Sequence, residues 1–131
     1  MMDYPKIVLS DPKIPLPLFF LKKTFSALFD TRSREWSDNE WINLKTIELL
    51  DAGCVFFVCF GSDSESVHDK IDDIIVRRGR QSDILTTFHE DEDLEDVFDF
   101  FLMVALKETK FGLLLTDDQT TWKSIITCRV P

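Results

Sequence analysis

From Trp36 onward, the chain alternates between segments with apolar residues three and four apart and short runs that are apolar throughout. The first spacing is that of a helix packed on one side. The second, rich in β-branched and aromatic residues, is that of a strand covered on both faces. Ser37-Asp38-Asn39-Glu40 predicts a helix start, with the Ser37 hydroxyl accepting from the Glu40 amide and the Glu40 carboxylate reaching back. That helix is expected to run to about Ala52, burying Trp41 and Leu44, and to stop at Gly53 in a left-handed turn. Cys54–Phe60 follows as a buried strand. Ser62 with Glu65 predicts a second helix start, with Val67, Ile71, Ile74, Ile75 and Arg78 on its inner side and Gly79 at its end. Ile84–Phe88 and Phe111–Thr116 read as further strands, and Gln119–Val130 as a final short element, helical around Trp122–Ile126 or an edge strand.

Between the last two strands lies His89-Glu90-Asp91-Glu92-Asp93-Leu94-Glu95-Asp96-Val97-Phe98-Asp99-Phe100-Phe101. Seven of the ten residues from Glu90 to Asp99 are carboxylates. Even so, Leu94, Val97, Phe98, Phe101, Leu102 and Ala105 keep helical spacing, so the pattern predicts a folded acidic surface on an amphipathic helix. Ahead of Trp36 the pattern weakens. Lys6–Leu9 or Leu18–Leu21 is expected to supply one more strand, while Pro12, Pro15 and Pro17 interrupt regular structure over residues 10–36.

Strands joined by helices need crossover connections, which give a parallel sheet. The expectation is a single α/β domain over residues 1–131: a three-layer sandwich with a mainly parallel sheet of four to five strands and helices on both faces. A chain of 131 residues with twelve Phe and a hydrophobic fraction of 44% is large enough for such a core. Cys54, Cys59 and Cys128 have no paired spacing. Cys54 and Cys59, five apart on one strand, should point to opposite faces, and all three read as reduced, buried core thiols. The apolar stretch Ile14–Leu21 is too short to span a bilayer, so the expected location is cytoplasmic.

Charge narrows the function classes. The net charge is -9, and it is uneven: residues 1–35 carry six bases and four acids, and residues 36–131 carry nine bases and twenty acids. Such a field disfavours direct contact with nucleic acid or an anionic membrane and speeds encounter with a basic protein. Helix dipoles account for Asp91, Glu92 and Asp93 in a first turn. They do not account for Glu95, Asp96 and Asp99, nor for Asp69, Asp72 and Asp73 on the preceding helix. These eight carboxylates are the candidate partner-binding residues, on the expectation that the two helices are adjacent and form one broad negative face.

An enzymatic alternative rests on the strand ends. Asp63, His89, Glu90 and Asp117 all follow strands, where α/β proteins place their ligands, and hard carboxylate oxygens suit Mg²⁺. That arrangement would serve phosphoryl transfer or hydrolysis, with His89 as a general base. A regulatory, receiver-like α/β module is a further alternative, although no lysine is placed after a strand as a receiver requires. The loop Phe60–Ser66 has one glycine where a dinucleotide fingerprint has three, and no P-loop lysine follows it. No cofactor is expected, no metal is expected outside the Mg²⁺ alternative, and the oligomeric state is not readable.

Small size, acidity, a single α/β domain and a negative helical face together resemble the bacterial immunity proteins of polymorphic or contact-dependent growth inhibition toxin systems. The junction Leu85–Asp96, with its Thr-Thr-Phe-His followed by acids, is also similar to strand-to-helix junctions of small bacterial domains. The resemblance is one of class. It implies a non-catalytic antitoxin that binds a basic toxin domain such as a nuclease, and it assigns no residues.

Overall fold

The computed structural model describes residues 5–130, so the extreme ends of the predicted 1–131 domain lie outside the described residues. Five parallel strands form one sheet in the order β1-β5-β2-β3-β4. They are β1 (Lys6–Ser10), β2 (Phe25–Asp30), β3 (Cys54–Phe60), β4 (Leu85–His89) and β5 (Phe111–Leu115). Helices α1 (Asn39–Ala52) and α2 (Ser64–Arg77) pack on one face through Ile42, Leu49, Val67, Ile71 and Ile75. On the other face are α3 (Leu94–Phe100), a π-helical turn (Phe101–Ala105), α4 (Leu106–Thr109) and α5 (Gln119–Arg129), packed through Val97, Phe98, Phe101, Leu106 and Trp122. This is the expected three-layer α/β sandwich.

The central strand, β2, falls where irregular structure was expected. All six of its residues are buried, including Ser26 and Asp30. Its polar positions hide it from a hydrophobicity pattern, and both have dedicated partners. The Ser26 hydroxyl donates to the Ala105 carbonyl at 2.8 Å, satisfying an oxygen at the end of the π turn. Of the two proposed early strands, Lys6–Ser10 is the real one, whereas Leu18–Phe20 is a 3₁₀ turn.

Several local expectations are corrected. Helix α1 is capped by Asp38, whose carboxylate accepts from the Trp41 amide at 3.1 Å, while the Ser37 hydroxyl donates back to the Arg34 carbonyl. Helix α2 begins after Asp63, without a side-chain cap, so the box at Ser62 and Glu65 does not form. Leu44 is exposed, and Arg78 reaches outward to Asp51. Cys54 and Cys59 lie in the same core layer, because β3 skips Val55 in its pairing with β2 and the irregularity resets the alternation. Both are free thiols, and burial pushes each well above its ordinary pKa. Cys128 is exposed on α5. That last segment is a helix, not an edge strand. The π turn also shifts the predicted apolar stripe: Val97, Phe98, Phe101 and Ala105 are buried as expected, but Leu106 replaces Leu102 as the next core residue.

Candidate functional site

Carboxyl ends of parallel strands are the usual place for ligands, especially where the strand order changes direction. Here the change falls between β2 and β5, and the group at that point is Asp30. Its carboxylate accepts from Arg32 Nε (2.8 Å) and Nη2 (2.7 Å), Thr116 Oγ1 (2.8 Å) and Trp122 Nε1 (2.9 Å). Burial on its own raises the pKa of this carboxyl. The hydrogen bonds from Arg32, Trp122 and Thr116, with the charge of Arg32, outweigh burial and hold it below its ordinary 3.8. Arg32 is held further by Asp118 at 3.2 Å. Every strong acceptor direction at Asp30 is occupied from within, so the cluster ties β2, β5 and α5 together and offers no open position. Arg32 is the counter-ion of this cluster.

The chain's two histidines flank the edge strand β4, one on each face. On the α2 face, Thr86 Oγ1 donates to Asp72 at 2.6 Å and lies 3.0 Å from His68 Nε2, while His68 Nδ1 lies 3.0 Å from Asp69. On the α3 face, Thr87 Oγ1 lies 3.1 Å from His89 Nε2, and His89 Nδ1 lies 2.5 Å from Glu92. A hydroxyl, an imidazole and a carboxylate in line is the order used in nucleophilic sites. Both rows also brace β4 against its neighbouring helices. Thr86 spends its proton on Asp72, and His89 is buried against the Phe100 ring.

The eight predicted partner-binding carboxylates do not form one face. Helices α2 and α3 lie on opposite sides of the sheet, so the expected adjacency fails: the sheet separates Asp69, Asp72 and Asp73 from Glu92, Glu95, Asp96 and Asp99, and Asp91 lies in the turn between β4 and α3. Several have internal work. Asp99 and Glu95 accept from Arg129 Nε and Nη2 at 2.6 and 3.3 Å, which joins α3 to α5. Glu92 holds His89, and Asp72 holds Thr86.

What the structure does bring together is an open depression of about 630 Å³ at the carboxyl ends of β3 and β4, lined by Ser62, Asp63, Glu65, Ser66, Asp69, Lys70, Asp73 and Glu90. Glu65, Asp69 and Asp73 are four residues apart and make one stripe of α2. Asp63 comes from the preceding loop and Glu90 from the end of β4. Five carboxylates thus line the depression with one base, Lys70, while Asp73 also pairs with Arg77 at 3.5 Å on the flank of α2. The signal for this stripe in the sequence is the 65-69-73 spacing, one residue per helical turn, with Asp72 beside it out of phase.

The Mg²⁺ alternative is not assembled. Asp63 and Glu90 share the depression, but His89 is turned towards α3, and Asp117 lies beside Lys13, Arg34 and Trp41 at the end of β5. Among the described residues, no group of three or more His, Cys, Asp or Glu side chains is placed to hold a metal ion. No helix among them is long and apolar enough to cross a membrane.

Compared with known proteins, the chain matches one family, described as a domain of unknown function (DUF7684), over residues 8–125. Nothing matches among curated proteins or solved structures. The family match runs from β1 into α5, so the chain belongs to DUF7684.

Proposed function

We propose that this DUF7684 member is a non-catalytic acidic binding protein that captures a basic protein domain, with the depression at the ends of β3 and β4 as the centre of the interface. The observation that carries this reading is the convergence of Asp63, Glu65, Asp69, Asp73 and Glu90, from two separate parts of the chain, around a single lysine. Like charges gathered on one open surface repel one another, and a cationic partner relieves that repulsion while gaining speed of encounter. The depression is broad and polar, a shape that suits lysine and arginine side chains presented by a protein better than an enclosed small molecule.

The role resembles that of an immunity protein towards a basic toxin domain, acting in the cytoplasm. A nuclease toxin fits this role, because its own nucleic-acid surface is basic and an acidic inhibitor competes for it. The reading revises the interface residues. Glu95 and Asp99 serve the fold through Arg129, whereas Asp63, Glu65, Asp69, Asp73 and Glu90 line the depression that meets the partner.

The test uses a short lysine-rich peptide as probe. Reversing Asp69, Asp73 and Glu90 to Lys leaves the fold intact and weakens peptide affinity by at least about tenfold at low salt, with a shallower salt dependence. Affinity and salt dependence that match the parent protein contradict the proposal.

A further inference from the structure

The sheet has two open edges, and they are not alike. Strand β1 carries Lys6 at its start, directly after Pro5, and these are the residue types that keep an edge from pairing with another chain. Strand β4, Leu85-Thr86-Thr87-Phe88-His89, has no proline, no lysine and no bulge in its pairing with β3. It also leaves Leu85 and Phe88 exposed.

The register shows which backbone groups of β4 are free to pair. The Gly61 amide donates to the His89 carbonyl, so His89 turns its backbone towards β3. Backbone direction alternates along a strand, so Leu85 and Thr87 do the same, and the amides and carbonyls of Thr86 and Phe88 point outward. Carboxylates bracket this edge on both faces of the sheet. Asp69 and Asp72 stand behind His68 and Thr86 on one side, and Glu92 stands behind His89 and Thr87 on the other.

We infer that β4 is a docking edge that accepts an extended basic segment of the partner as a sixth strand of the sheet. The inference rests on the capture of a basic protein proposed above and adds how that protein is held. Alternate side chains of an added strand go to opposite faces. A segment alternating lysine or arginine with small β-formers would therefore present its cations to the α2 acids and Glu90 on one face or to Glu92 on the other, according to register. Main-chain bonds to Thr86 and Phe88 supply the alignment, and the acids supply the preference for a cationic strand.

The test is residue-resolved amide exchange on the whole protein with a short peptide of alternating lysine and threonine. On binding, the Thr86 and Phe88 amides become protected. Phe88→Pro removes one outward amide at a position where proline is compatible with an edge. It lowers affinity about tenfold, whereas Phe88→Ala, which keeps the amide, stays within about threefold. Melting curves check that both variants fold, and exchange on the parent protein stands whatever Phe88→Pro does. A peptide that binds in a salt-dependent way without protecting these two amides overturns strand addition and leaves acidic capture standing. A peptide that binds indifferently to salt overturns acidic capture, whatever the amides do. No binding of this peptide, beside salt-dependent binding of the lysine-rich probe, overturns strand addition alone.

Discussion

Asp30 shows how much of the fold rests on single polar atoms. A carboxylate at 1% exposure is tolerable only because Arg32, Thr116 and Trp122 all donate to it. Asp30→Asn removes the charge that Arg32 answers and turns one acceptor into a donor facing donors. We expect a loss of about 2–3 kcal/mol in chemical denaturation, at the lower end of buried-pair values because Arg32 is partly in water. The same residue sets part of the acid response. A carboxyl whose folded pKa lies below its unfolded 3.8 adds stability that is fully present well above pH 3.8. That contribution drains away as pH falls from the unfolded value through the folded one. Melting temperature should therefore fall less steeply with acid below about pH 4 in Asp30→Asn than in the parent protein. A parallel acid limb in the two proteins would contradict this. None of it was legible beforehand: Asp30 lies in the stretch over residues 10–36 where no regular element was expected, and its partners sit up to 92 positions away.

Among the elements, β3, β4, β5 and α2 were readable almost to the residue, because the strands are short runs rich in apolar and β-branched residues, α2 has a clean helical period, and glycine or acids mark their ends. β2 was not, because Ser26 and Asp30 break its apolar run and only tertiary partners make them buriable. The π turn was invisible for a related reason. An extra residue in a helix leaves the apolar spacing nearly regular and changes only which later residue faces inward, here Leu106 in place of Leu102. Where that segment crosses β5, Gly112 allows the approach: an added Cβ would meet Leu106 Cδ2 and Phe101 Cε2 at 3.0 Å. Gly112→Ala should cost about 1–3 kcal/mol through overpacking, read as a lowered denaturation midpoint with an unchanged slope. Gly53→Ala should cost more, since it combines a φ of 120° with a Cβ position 2.2 Å from the Lys23 carbonyl oxygen, which is rigid backbone. Equal stability in the two variants would refute that ranking.

For the molecule as a whole, the charge asymmetry was plain in the sequence and its arrangement was not. A count of acids could not reveal that α2 and α3 sit on opposite faces, nor that Arg129 of α5 takes up Glu95 and Asp99. Helical phase held more: the 65-69-73 stripe was there to be read, and Glu90 joins it only through the strand order. Reversing Glu95 and Asp99 to Lys would set three cations together, so we expect α5 to loosen, seen as faster amide exchange around Ile126–Arg129 with little change at α2. If instead α5 stays protected, the Arg129 pairs contribute nothing to holding it.

Under the proposed function, the acid-lined depression, and not net charge alone, selects the basic partner. A charge-matched comparison tests it most directly: Asp69→Lys with Glu90→Lys against Asp117→Lys with Glu108→Lys, each pair exposed and each shifting net charge equally. Titrated with the same lysine-rich peptide at matched salt, the first pair should lose affinity about tenfold and the second should stay within about twofold of the parent protein. Equal losses in the two pairs would mean that only bulk charge attracts the peptide, and would contradict selection by the depression.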